Sequence, residues 1–312
     1  MAQDPREPSV AVSPQRLTDG VVTLRPVSGG VQRWQVDAFV VESEGVDVGA
    51  VELHYVDDGV GALTWRLYAG HSGHGHATRA LRLLARHAFT DLGLYRLEAR
   101  IDPRDRRSLR LASRAGLRRE GVVRVRTSQA HLAGLDAHVL LGRLVSDPPI
   151  SDPDGFRELL NATLPRKRAI AQLLVRDPDG RILLCQLTYK RDWDLPGGVV
   201  EPAESPRFGV RRETTEELGL VLEPGRLLLT DWLPPWGGWD DAVGLVFDGG
   251  VLGPSLLDRV ALSPKEIRSV AFCTLDQVAH RAADFTTRRV MAALAVLADP
   301  GSPAAYTESG RP

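Results

Sequence analysis

The sequence predicts an α/β protein of two domains, and three observations lead there. The chain has 312 residues, more than one hydrophobic core usually serves. Residues 15–145 and 156–299 each mix strand-like alternation with helical spacing of apolar residues. Between them VSDPPISDPDG, residues 145–155, has the Asp, Pro and Ser content of a loop or linker. The blocks share no internal repeat, so the chain reads as a fusion and not a duplication.

Composition sets the outer limits. Hydrophobic residues make up 43% and charged residues 25%, with a formal net charge of −1. That balance gives no bulk electrostatic case for nucleic acid or membrane. It hides eleven arginines between Arg96 and Arg126, either a solvated face or an anion-binding surface. No run is apolar and long enough to span a bilayer, and the start MAQDPREPSVAVSP has no apolar core of a secretory signal. Cys185 and Cys273 sit in apolar runs without metal-ligand spacing, as core residues in a reducing compartment do. A cytoplasmic protein is expected. Residues 1–14 and 300–312 have the polar, proline-containing composition of disordered ends.

In the first block, VVTLRPV, QVDAFVVES and ALTWRLYA read as strands. GHSGHGHATRALRLLARHAFTDLGL follows, with Ala77, Ala80, Leu81, Leu84 and Ala88 at helical spacing and Gly93 as a stop. Gly70, Gly73 and Gly75 precede that helix. A glycine-rich turn there exposes backbone N–H groups at the positive helix end, which suits a pyrophosphate; a plain tight turn fits equally. LYRLEARI alternates as a strand with Tyr95, Leu97, Ala99 and Ile101 on one face. DPRDRRSLRLASRAGLRREG then reads as loop, short helix and glycine stop.

This order resembles the GNAT acyltransferases, particularly the group that acetylates the N-termini of ribosomal proteins. The resemblance implies that Ser72, Gly73, His74, Gly75, His76 and Ala77 form the turn holding the pyrophosphate of acetyl-CoA, and that Ser108 lies near the thiol. Three features depart from the family. Ser72 stands where it has Arg or Gln, Asp105 where Asn is usual, and few residues separate VVTLRPV from QVDAFVVES, where the family places helices. Two outcomes stay open: a bifunctional chain with an active N-acetyltransferase, or a scaffold or sensor without transfer. His71, His74 and His76 read as polar loop residues and not as a zinc site.

FRELLNATL, a short amphipathic piece, leads into the second block. There AIAQLLVRD and RILLCQLTY flank Pro178, Asp179 and Gly180, a hairpin pattern, and WDLPGG ends in a tight turn. In GVVEPAESPRFGVRRETTEELGL, Ser205 suits an N-cap, Pro206 the first helical position and Gly219 the stop. Glu213, Glu216 and Glu217 then fall within one turn. Left unpaired they repel; a hard divalent cation such as Mg²⁺ or Mn²⁺ removes the conflict, as would pairing with Arg211 and Arg212.

The same segment resembles the Nudix box: Gly, five residues, Glu, seven residues, Arg-Glu, an aliphatic residue, any residue, Glu-Glu, any residue, Gly, aliphatic. Gly198, Glu204, Arg212, Glu213, Glu216, Glu217, Gly219 and Leu220 all fall on it; Thr214 replaces the usual aliphatic residue. The resemblance implies an αβα sandwich. It implies a metal held by Glu213, Glu216, Glu217 and the Gly197 carbonyl, a Glu204–Arg212 salt bridge, and hydrolysis of a nucleoside diphosphate linked to another group. Glu213 and Glu266 are the candidate general bases; Glu266 also reads as a helix first-turn residue after Ser263-Pro264. Trp232 reads as a packing anchor. Trp236 and Trp239 read as a stacking surface for a nucleotide-type substrate, and Lys190 and Arg191 as phosphate contacts. Oligomeric state stays open.

Overall fold

The computed structural model describes residues 15–27, 36–124, 137–299 and 301–312. They form two compact units, Met1–Pro165 and Arg166–Pro312. Among the described residues no helix is long and apolar enough to cross a membrane. The polar N-terminus, the short link after VVTLRPV and the end of the arginine run at Arg126 lie outside the described residues.

The first unit opens with strands β1 (Leu17–Thr18), β2 (Thr23–Pro26), β3 (Val36–Ser43), β4 (Val46–Asp57) and β5 (Val60–Leu67). Helix α1 (His76–Thr90), strand β6 (Arg96–Ile101) and helix α2 (Arg106–Arg114) follow. Strands β7 (Arg118–Arg124) and β8 (Ala137–Leu144) and helix α3 (Pro153–Thr163) complete it. The sheet runs β1-β2-β3-β4-β5-β6-β8-β7. Only β5 and β6 are parallel, and they pair over just Val60–Ala62 and Arg96–Glu98 before parting. Helix α1 covers one face because Ala80, Leu81, Leu84 and Ala88 recur at helical spacing and are fully buried, against Leu24, Phe39, Leu53 and Leu97. Burying each such leucine stabilises the fold by about 2 kcal/mol. Tyr95, expected on the buried face of its strand, lies outside β6 and is 52% exposed, its ring set against Gly59.

The segment FRELLNATL is helical, as part of α3, and falls within the first unit. Asp152 caps the helix, Arg118 pairs with Glu158 at 2.9 Å, and Gly155 lies against the backbone of Pro148 and Pro149.

The second unit contains β9 (Arg168–Arg176), β10 (Ile182–Leu187), β11 (Trp193–Asp194), β12 (Gly197–Val199) and helix α4 (Pro206–Leu218). Strands β13 (Leu227–Leu233) and β14 (Ala242–Val251) and a short 3-10 turn precede β15 (Ile267–Cys273). Helices α5 (Leu275–Arg281) and α6 (Asp284–Ala298) and strand β16 (Ala305–Glu308) end it. The sheet path is β11-β10-β9-β14-β13-β16, with β12 on β9 and β15 on β10. Alternation along β9 builds a core on each face. Ala171, Leu173 and Val175 pack with Val210 and Leu218 of α4, while Leu174 packs with Val290 and Ala293 of α6. Cys185 and Cys273 are buried, one in each core.

The predicted hairpin is present but brief. Asp177 accepts from the Asp179 and Arg181 amides around Gly180, and β9 meets β10 at one pair, Ile182 with Arg176. Beyond it the strands separate, β9 taking β12 and β10 taking β15. The C-terminal stretch, expected to be loose, is ordered over 301–312. Its strand β16 pairs in parallel with β13, and the Thr307 side chain and Gly310 amide donate to the buried Asp231.

Candidate active site

Helix α4 forms between the caps its sequence supplies. Ser205 Oγ accepts from the Phe208 amide at 3.3 Å, Pro206 occupies the first turn, and Gly219 closes the helix with φ 68. Thr214 is fully buried, and its hydroxyl donates to the Arg211 carbonyl at 3.1 Å, so the hydroxyl in place of a methyl is satisfied within the helix.

The helix turns its acidic face toward β12. Glu217 is 5% exposed and accepts from the Gly197 amide at 3.2 Å. The Glu213 carboxylate lies so close to Gly198 that a Cβ there would stand 2.6 Å from it, so no larger residue fits without displacing that carboxylate. Arg212 donates to Glu204 at 2.8 Å, to Glu216 at 2.9 Å and to the Val199 carbonyl at 3.1 Å, and lies 3.1 Å from Glu213. It therefore ties the loop of Glu204 to the helix. Arg211 turns away to Glu223.

Loop residues 261–266 are sewn to the end of α4. The Ala261 amide donates to the Leu218 carbonyl and the Ser263 amide to that of Glu217. Glu266 follows in a turn that leads directly into β15, not in a helix, so the helix-start reading of Ser263-Pro264 is set aside. Its charge bears on both Glu213 and Glu217.

The electrostatics follow from this packing. Burial, reinforced by Glu213, Glu266 and Asp194, pushes the Glu217 carboxyl up to about 8, against the help of the Gly197 amide. Burial also raises Glu213, although Arg212 opposes it. Glu204 is held below the usual carboxylate range by its hydrogen bonds from Arg212 and the Glu201 amide. Among the described residues no three acidic, His or Cys side chains are drawn into a closed metal cage; Glu216 is engaged by Arg212. The donor set still suits a hard cation: the buried Glu217 and half-buried Glu213 carboxylates held against their own repulsion, Glu216 on the same turn, and the backbone of Gly197 beside them.

A cavity of about 440 Å³ opens from Gly197 and Gly198. Lys190, Trp236 and Trp239 line it; Arg191 is exposed outside it. Lys190 is tied to Asp194 at 3.0 Å. Trp236 meets Phe285 edge-on at 5.4 Å, Trp239 lies 6.4 Å from Tyr189, and Arg168 sits 5.1 Å over the Trp239 ring. Trp232 stands apart with Lys167 over its ring. The sequence reading missed Tyr189, Phe285, Arg168, Asp194 and Arg289. Tyr189 adjoins a predicted contact; Arg168 and Asp194 are placed by long-range strand pairing, and Phe285 and Arg289 by the packing of α6 against the sheet. Desolvation, with the charges of Glu217, Asp194, Glu266 and Glu213, pushes the Tyr189 hydroxyl up to about 12.

In the first unit the glycine turn is present. Gly70, Gly73 and Gly75 have positive φ, and α1 starts at His76 without a side-chain cap, leaving its first N–H groups uncapped. Ser72 to Gly75 are exposed, His76 is half-buried and Ala77 is buried. His74 and His76 stack at 5.6 Å, and burial with the nearby His74 and His71 keeps the His76 imidazole below its ordinary value. Asp105 is the N-cap of α2, accepting from the Arg107 and Ser108 amides, so Ser108 lies in the first helical turn. The arginine run divides: Arg96 and Arg118 are paired with carboxylates, while Arg106, Arg110, Arg114 and Arg119 line a groove of about 520 Å³.

Comparison with known proteins agrees with both halves. The NUDIX domain model matches residues 165–294 and the Acetyltransferase (GNAT) domain model residues 13–118. A MutT-like protein of Streptomyces ambofaciens is 34% identical over 130 residues, 40% of this chain and 75% of that protein. The nucleoside triphosphatase NudI of Escherichia coli O1:K1 / APEC is 41% identical over 81 residues, 24% of this chain and 52% of that protein. The probable N-acetyltransferase YjcK of Bacillus subtilis (strain 168) is 35% identical over 80 residues, 25% of this chain and 44% of that protein. The chain thus spans about half or less of the last two. By its C-terminal half the chain belongs to the NUDIX family, and it carries a GNAT acetyltransferase domain ahead of it.

Proposed function

We propose that the second unit is a Mg²⁺- or Mn²⁺-dependent pyrophosphohydrolase that cleaves a phosphoanhydride bond in a nucleoside diphosphate linked to another group. The observation that carries this reading is the acidic face of α4, half-buried Glu213 and buried Glu217, set beside Gly197 and Gly198 at the mouth of an aromatic-lined cavity. Glu213, Glu216, Glu217 and the Gly197 carbonyl would hold the cation. When bound, it neutralises phosphate charge and lowers the pKa of water. The chain's own residues do the remaining work. Arg212 fixes Glu204 and the loop before α4 so that Gly197 keeps its place. Glu266 or Glu213 takes the proton of the attacking water; Glu266 is the freer of the two, since Arg212 contacts Glu213. Trp236 and Trp239 hold the base, and Lys190 the phosphate side. The named activity of NudI, a nucleoside triphosphatase, falls within this substrate class. Incubating the whole chain with Mg²⁺ and a panel of nucleoside triphosphates, dinucleotides, nucleotide sugars, ADP-ribose and CoA, and measuring phosphate products, tests the reading. Turnover of at least one supports it; no turnover of any refutes it.

For the first unit, the uncapped glycine turn at α1 and the early parting of β5 and β6 favour an acyl-CoA-binding role for Ser72 to Ala77. Whether transfer accompanies binding decides between a bifunctional enzyme and a scaffold or sensor.

A further inference from the structure

Arg289, on α6, is 2% exposed and yet lines the 440 Å³ cavity. Its guanidinium is anchored on two sides. Nε donates to Asp231 Oδ2 at 3.1 Å and Nη1 donates to Gln172 Oε1 at 2.7 Å. Nη2 is buried and has no hydrogen-bond partner among the described residues.

The anchors cannot turn to serve it. Asp231 Oδ1 already accepts from Thr307 Oγ1 at 2.7 Å and the Gly310 amide at 2.8 Å. Gln172 Nε2 is committed to Asp194 Oδ1 at 3.0 Å and the Leu195 carbonyl at 3.3 Å. A charged donor that is buried and left without an acceptor is costly, and a fold keeps one where something else completes it.

We infer that Arg289 is the base-reading residue of this cavity, donating through Nη2 to the 4-oxo group of a pyrimidine or the 6-oxo group of a purine held among the aromatic side chains. The inference rests on reading the cavity as a nucleotide site. The surroundings favour a neutral, planar acceptor over a phosphate. Asp231 already neutralises the guanidinium and Asp194 holds Lys190, while Arg168 and Arg288, the other cations lining the cavity, donate to the Asp240 and Ser309 carbonyls, so Arg289 has no unneutralised charge of its own to offer a phosphate. The Arg289 guanidinium lies 5.5 Å from the Phe285 ring centre, and Phe285 meets Trp236 edge-on. These rings suit a flat heterocycle. Arginine donates and never accepts. An amino group in place of the oxo group would face it donor to donor, so uracil is favoured over cytosine and hypoxanthine over adenine.

Calorimetric titration of the whole chain in chelator with UMP, CMP, IMP and AMP tests this without metal or a scissile bond. The oxo member should bind about tenfold or more tightly in at least one matched pair, UMP against CMP or IMP against AMP. Arg289→Lys keeps a charge opposite Asp231 but lacks Nη2, and should bring that ratio to about one. The wild-type ratios need no variant, so they stand even if Arg289→Lys does not fold. Equal binding within both pairs overturns the inference, as does a preference that survives Arg289→Lys, or binding of none of the four at millimolar concentration. Pyrophosphate that competes with UMP in the wild type but not in Arg289→Lys also overturns it, by placing phosphate on Nη2. A chain that keeps the preference but hydrolyses no nucleotide with Mg²⁺ would refute the hydrolase reading alone.

Discussion

Helix α1 begins at a surface ready for an anion and α4 runs beside one ready for a cation, and the two are built in opposite ways. At α1 the surface is backbone: glycines with positive φ, exposed amides and no cap. Its first turn carries no acidic side chain that would repel an anion. At α4 the surface is side chain: carboxylates held by Arg212, by Gly197 and by burial among the strands. A backbone turn tolerates many sequences and so specifies little. A packed set of charges fails when one member changes, and that is why its residue pattern is informative.

The largest effect should come from the packed set. Glu217→Gln should leave the fold intact and lower Mg²⁺-dependent hydrolysis by about a hundredfold or more. Near-wild-type turnover at saturating Mg²⁺ would remove Glu217 from the metal site.

The same residue gives a pH signature in chelator. Its carboxyl sits near 8 when folded and near its ordinary 4.5 when unfolded. The folded state therefore holds the proton more tightly. That contribution is fully present below pH 4.5 and is lost as pH rises through 8, with a ceiling of roughly 4–5 kcal/mol. Metal-free wild type and Glu217→Gln should melt alike near pH 4.5, and the variant should be the more stable near pH 8. Parallel melting curves across that range would contradict the buried, unpaired state of this carboxyl.

A smaller effect is expected at the cap of α4. Ser205→Ala should cost about 1 kcal/mol, read as a shift in denaturant midpoint without a change in slope. Smallest of all should be the response of the backbone turn. Asp105 is committed to capping α2, and Ser72 offers no charge, so titration of the whole chain with acetyl-CoA should show only weak binding. Low-micromolar affinity would show that uncapped amides alone suffice.

Legibility in the sequence followed the same division. The ends of α4 could be read because caps are local, whereas the pairing of Glu204 with Arg212, eight residues apart, came only from the resemblance to the box pattern. The cavity wall could not. Tyr189, Phe285 and Arg289 come together only through the packing of α6 on the sheet, and nothing local links position 172 to position 289. Strand β16 was missed because four residues flanked by Pro and Gly carry too little pattern to stand out, and their pairing with β13 is long-range. Likewise α3 was recognisable as a helix, but its partner Arg118 was not.

On the proposed reading, the second unit holds all of the hydrolytic chemistry. Box, caps, cavity wall, Glu266 and β16 all lie after Pro165. Expressing residues 166–312 and assaying Mg²⁺-dependent phosphate release beside the whole chain tests it most directly. The fragment should melt cooperatively and turn over the same substrate at a comparable rate. A folded but inactive fragment, beside an active whole chain, would contradict the claim and make the GNAT domain part of the hydrolytic site.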